Sequence, residues 1–151
     1  MTSRLIAVLA CCCLTLLAAC SHEDPNSPVY KRKQVFKQML RTSQSMRDML
    51  RGEADFKADT FAQDAAQLQS LSHQPWQWFT ELGKDDGSKT AAKAGEITLN
   101  RAAFDKAAQN LQDATAELTA KAASKDPTQI RPAFDAMENR CTECHKQFRD
   151  F

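Results

Sequence analysis

Glycine and proline are scarce in this chain of 151 residues, four and five of them, and tyrosine occurs once. So few turn-forming and strand-favouring residues argue against a sheet and for helices. A basic excess is also missing: 20 Lys and Arg face 19 Asp and Glu, which excludes a nucleic-acid partner. Histidine is limited to His22, His73 and His145. None stands with a nucleophile in an arrangement suited to hydrolysis or group transfer, so the chain is not expected to be an enzyme. The longest apolar run, Leu5 to Ala19, falls short of the roughly 20 residues that a membrane-spanning helix needs. What remains, 42% hydrophobic and without repeats or low-complexity tracts, is enough for one globular domain with a modest core.

That apolar run reads as a secretory signal. Arg4 precedes it, and small residues close it before Cys20. Leu17-Ala18-Ala19-Cys20 also resembles the lipobox of bacterial lipoproteins. The resemblance implies that Cys20 becomes the lipidated first residue and contacts a lipid membrane, each buried methylene adding about 0.8 kcal/mol. Ser21 at the next position favours the outer membrane. Residues 1–19 are thus expected to be the signal, 20–28 a polar lipidated tether, and 29–151 the folded domain. With Arg4 removed, nineteen basic residues balance nineteen acidic ones. Cys11, Cys12 and Cys13 leave with the signal and Cys20 takes the lipid. Only Cys141 and Cys144 remain, with no spare pair for a structural disulfide.

Four amphipathic segments follow the tether. The first, about Val29 to Arg51, carries Phe36, Met39, Leu40, Ser43, Met46 and Leu50 on one stripe and ends at Gly52. In the second, about Asp59 to His73, Phe61, Ala65, Leu68 and Leu71 or Ser72 share a face. Pro75 and the aromatic run Trp76-Gln77-Trp78-Phe79 break it, with the two tryptophans expected to pack the end of the domain, or one of them to reach a cofactor. Gly83 to Ser88 reads as loop. The third is expected to run unbroken from about Thr90 to Ala123, with Ile97, Phe104, Ala108, Leu111, Thr115, Leu118 and Ala122 along a buried seam. The fourth opens at Asp126, with Pro127 at the first helical position and Gln129 completing a capping-box pattern. Ile130, Phe134, Met137 and the cysteines continue its inner face. The fold class is therefore all-α, an antiparallel four-helix bundle.

The chemistry lies in Cys141-Thr142-Glu143-Cys144-His145, the C-x-x-C-H signature of haem attachment. On a helix, positions i, i+3 and i+4 share a face. Two thiols so placed reach the two vinyl groups on one porphyrin edge, and the imidazole points at the iron. A thiol-disulfide oxidoreductase would put C-x-x-C at a helix start after a strand, where the helix N-terminus lowers the thiol pKa. Here the motif ends a terminal helix. A structural zinc site needs four ligands, and these residues leave one missing. Export, sole retention of these two cysteines and their inner-face position favour one covalent haem c, with His145 as an axial ligand of its iron. A purely structural lipoprotein with an incidental thiol pair is the bland alternative.

With this motif near the C-terminus of a four-helix domain, the sequence resembles the class II c-type cytochromes, the cytochrome c' family. The resemblance spans about Val29 to Phe151 and is firmest over Cys141 to Arg149. It implies that Phe148 packs on the proximal side of the haem and that Arg149 lies near it. In the first helix it implies an Arg at Arg32 and, four positions on, Phe36 facing the open side of the iron. Phenylalanine cannot bind iron, which departs from the six-coordinate members with Met at that position. Met39, on nearly the same face, is the possible second ligand, or else core packing. Homodimerisation through the first two helices is also common in that family.

Two functions are expected on this footing. The leading one is one-electron transfer with periplasmic or membrane redox proteins, in the bacterial periplasm, with the potential set by ligation and burial. Anchoring through Cys20 would raise the effective concentration beside anchored partners. The alternative is a five-coordinate haem protein whose open site, walled by Phe36, takes nitric oxide or carbon monoxide as a diatomic gas ligand.

Overall fold

The computed structural model describes residues 23–80, 82 and 90–150. The expected signal, Cys20 and the 83–88 loop lie outside the described residues. Among those described, the chain forms five α-helices and one 3-10 turn.

Helix α1, Pro28–Arg51, starts where Ser27 caps it: the Ser27 hydroxyl oxygen accepts the Tyr30 N–H at 3.0 Å, and Pro28 needs no partner for a missing N–H. It stops at Gly52, whose φ of +75° is the left-handed conformation that costs glycine nothing. Its buried face differs from the expected stripe. Val35, Met39, Thr42, Met46 and Met49 line the core, whereas Leu40 is 54% exposed and Ser43 only half-buried. Val35, Thr42 and Met49 make a continuous three-and-four seam with Met39 and Met46. Choosing that seam turns Leu40 outward.

Helix α2, Ala58–Ser72, buries Phe61, Ala65, Leu68, Leu71 and Ser72, as its periodicity predicted. Pro75–Trp78 follows as the 3-10 turn. The expected unbroken third helix is two. Residues 91–93 run beside the chain end instead: the Lys93 N–H donates to the Phe148 carbonyl at 3.0 Å and the Asp150 N–H to the Ala91 carbonyl at 2.8 Å. Helix α3, Ala94–Leu99, then breaks at Asn100 before α4, Arg101–Ala122. Asn100 leaves helical geometry at φ −117° and ψ 42°, with its side chain donating to Glu96 Oε1 at 2.8 Å.

Helix α5, Pro127–Phe148, has the expected cap. Asp126 Oδ1 accepts the Thr128 N–H at 2.9 Å, while the Gln129 amide donates to the Asp126 carboxylate rather than closing the box on a backbone group.

The helices pack in sequence order, α1 on α2, α2 on α4 and α4 on α5, giving a four-helix bundle with α3 as a short added turn. Among the described residues, α1 and α5 keep their backbones further apart than these neighbouring pairs. At one end they are tied by the Arg47–Glu138 ion pair and by Arg131, which donates to the Leu50 carbonyl. The core has two parts. The larger gathers Met46, Phe61, Leu68, Leu118, Phe134 and Met137 in the body of the bundle. The smaller, Phe79, Ile97, Phe104 and Phe148, fills the end where α5 finishes. Each fully buried side chain of this size contributes about 1.5–3 kcal/mol.

Candidate haem-binding site

The last two turns of α5 carry Cys141, Cys144 and His145 side by side, all half-buried. Cys141 packs against the larger core cluster and Cys144 against the smaller, so the two thiols straddle their junction. Both thiols are free. Burial first, then the neighbouring Cys144 and Glu138, pushes the Cys141 thiol up to about 11. Burial raises the Cys144 thiol as well. His145 moves the other way: burial, reinforced by the Arg149 charge, lowers its pKa and favours the neutral imidazole, the form that ligates metals.

Beyond the helix, Phe148 is buried and meets Phe104 edge-on at 5.2 Å. Arg149 is exposed in extended backbone, its N–H donating to the His145 carbonyl at 3.1 Å. That places its charge close enough to act on the imidazole.

Helix α1 supplies the opposite side. Phe36, half-buried, packs against both core clusters, the larger of which Cys141 touches and the smaller Cys144. Met39 lies within the larger cluster, 7% exposed. Arg32, one turn before Phe36, is 4% exposed. Its guanidinium donates to the Trp78 carbonyl at 2.9 Å and to Thr90 Oγ1 at 3.1 Å, and lies over the Phe79 ring.

The sequence does not single out Phe79 and Phe104 as part of this site, and for Trp76 it leaves open end-packing or an approach to the cofactor. The structure gathers all three around Phe36 and Phe148. The dense aromatic run after Pro75 was the available signal; the partnership with Phe104, 25 residues further on, had none.

These donors suit a haem. Two free thiols one turn apart, an imidazole whose neutral form is favoured, and apolar side chains packed against both thiols are gathered at this end of the bundle. Among the described residues, no buried side-chain polar atom lacks a partner and would need another ligand. A family model described as Cytochrome C' matches residues 27–149. The chain belongs to the cytochrome c' family.

Curated cytochrome c' proteins share about a quarter of its residues. It is 27% identical over 130 residues to cytochrome c' of Halomonas halodenitrificans, covering 83% of this chain and 98% of that one. Against cytochrome c' of Rubrivivax gelatinosus it is 27% identical, covering 85% and 98%. Cytochrome c prime from Shewanella frigidimarina superposes with a TM-score of 0.76 at 28% identity, over 87% of this chain and all of that one. A carbon-monoxide-bound variant from Alcaligenes xylosoxidans gives 0.73 at 26% identity, over 85% and 98%. A nitric oxide complex of another variant from that organism gives 0.73 at 26%, over 83% and 98%. As a cytochrome c', the protein binds a covalent c-type haem with its iron.

Proposed function

We propose that Cys141 and Cys144 hold the haem through thioether bonds, that His145 is its axial ligand, and that the protein binds nitric oxide or carbon monoxide at a sixth position walled by Phe36. The placement of Phe36 carries this reading. It packs against both core clusters, one touched by Cys141 and the other by Cys144, while Met39 is committed to the larger alone. A phenyl ring excludes bulk and offers the iron no donor. The haem supplies an iron that takes a gas in its ferrous state and exchanges one electron with its ferric state. Each thiol would add to one of the two vinyl groups on the same porphyrin edge, and the neutral imidazole would offer its lone pair to the iron. The carbon monoxide and nitric oxide complexes of the Alcaligenes xylosoxidans cytochrome support the same use here.

Electron transfer is the second reading, favoured by a separate observation. A shallow groove of about 230 Å³ between α4 and α5 reaches Cys144 and is lined by Lys106, Asn110, Arg140 and Gln147. A haem edge attached there would lie close to the surface and to a redox partner. In both readings the protein acts outside the cytoplasm, exported by residues 1–19 and held to a membrane by lipid on Cys20. No described helix is long and apolar enough to cross a membrane.

Absorption spectra of the haem-loaded protein, oxidised, reduced, and reduced under carbon monoxide, test the choice. Gas binding at an open position requires a high-spin spectrum that shifts with carbon monoxide. Sharp low-spin bands indifferent to the gas, converted to high-spin by Met39→Leu, would instead make Met39 a ligand and the protein an electron carrier.

A further inference from the structure

We infer that Trp76 and Phe79 are positioning residues that lock the ring of Phe36, so that a gas reaches the iron past a braced aromatic wall rather than past a single mobile side chain. This rests on the reading of Phe36 as the wall of an open sixth position.

Three rings close on one another. Phe36 meets Trp76 edge-on, with centroids 5.9 Å apart and planes at 76°, and meets Phe79 at 6.3 Å and 71°. Trp76 and Phe79 are themselves stacked at 6.2 Å. Edge-to-face contacts on two sides satisfy the preferred geometry of the Phe36 ring, and a swing to another rotamer loses both together.

The two supporting rings are each fixed by polar bonds that have no other evident purpose. The Trp76 indole N–H donates to the Ser72 carbonyl at the end of α2. Phe79 is 5% exposed, with the Arg32 guanidinium 4.7 Å above its face and its own carbonyl accepting from Arg101 Nη1 at 3.2 Å. Arg32 also grips the Trp78 carbonyl, so the backbone beside Phe79 is held from α1 and from α4 at once. Behind both rings stands Phe104, 5.7 Å from Trp76 and 4.9 Å from Phe79. A Phe36 that moves must therefore displace a half-buried Trp76 and a buried Phe79, both backed by Phe104. A gas seated on the iron holds Phe36 displaced against the brace, so the strain raises the entry transition state and the bound state alike; association slows, binding weakens, and dissociation from the iron is left largely alone.

Flash photolysis of the ferrous carbon monoxide complex tests this. In the Phe36 background, Trp76→Leu is expected to raise the bimolecular association rate about tenfold, equal to about 1.4 kcal/mol of barrier, with the dissociation rate within about twofold. Trp76→Phe, which restores an aromatic edge, returns the association rate to within about twofold of native. Joined to Phe36→Ala, Trp76→Leu adds less than about twofold, because its route of action is gone. Equal acceleration in both backgrounds, or none in either, overturns the brace while leaving gas binding intact. A native ferrous protein that is low-spin and takes no carbon monoxide overturns the gas-binding reading. That state is diamagnetic, and proton NMR then judges the brace by Phe36 ring flipping. Slow flipping in the native protein that becomes fast in Trp76→Leu upholds a locked ring; fast flipping in both refutes it.

Discussion

At the level of single residues, the site depends on groups driven out of their ordinary protonation range. Burial, Cys144 and Glu138 hold the Cys141 thiol near 11, so in the folded, haem-free chain about one thiol in a thousand is ionised at pH 8. Alkylation by iodoacetamide should accordingly leave Cys141 almost untouched at pH 8, with a rate still climbing at pH 10, measured by mass spectrometry of the quenched protein. A rate that levels off near pH 8.5, as for a free thiol, would contradict this burial. Core positions give a larger response. Phe134 is 2% exposed and packs on Phe61 with centroids 6.4 Å apart, so Phe134→Ala should destabilise by about 3–5 kcal/mol in a denaturant titration. The thiols and His145 were legible because haem attachment constrains their spacing within five residues. Phe79 and Phe104 were not, since nothing local distinguishes a phenylalanine of the site from one of the core.

Elements are decided at their ends. Gly52 closes α1 at φ +75°, with open space where a Cβ would stand, so Gly52→Ala meets backbone strain alone. Its cost should be about 1–2 kcal/mol, and Gly52→Asn should recover part of it, both read from thermal unfolding. At the start of α5, hydrogen bonds from the Thr128 hydroxyl and N–H, and then from Gln129, lower the Asp126 pKa. A folded pKa below the unfolded value means stability that is fully present above about pH 3.9 and is lost as pH falls through the folded value. Asp126→Ala should therefore lower the melting temperature at pH 7, and the gap to the native protein should narrow below pH 4. Both of these ends were legible in the sequence because capping chemistry is local. The break at Asn100 was not. The seam from Ile97 to Ala122 stays in phase across it, and only the pairing of residues 91–93 with the end of α5 shows why helix does not continue upstream. The rotation of α1 that exposes Leu40 is likewise settled by packing between two apolar faces, a choice that composition leaves open.

Across the whole molecule, four amphipathic segments, with one short connection after Arg51, sufficed to specify the bundle, because each apolar face has to be covered by another. What the pattern could not specify is which pair of helices stands apart. The structure sets α1 and α5 further apart than the neighbouring pairs and ties them through Arg47 and Glu138, one turn before Cys141. Both partners are about a quarter exposed, so the pair is only partly screened. A double-mutant cycle with Arg47→Ala and Glu138→Ala should give a coupling of about 1 kcal/mol that weakens with added salt; additive effects would mean that the tie contributes nothing.

The claim on which everything else depends is that one haem is bonded to Cys141 and Cys144. Trypsin cuts after Arg140 and after Lys146, releasing the two cysteines and His145 together in the peptide Cys141–Lys146. From protein matured with haem-attachment machinery, that peptide should weigh its own mass plus one haem, with neither thiol open to an alkylating reagent. Recovery of the same peptide with both thiols alkylated, and with free haem or none in the solvent, would contradict the account.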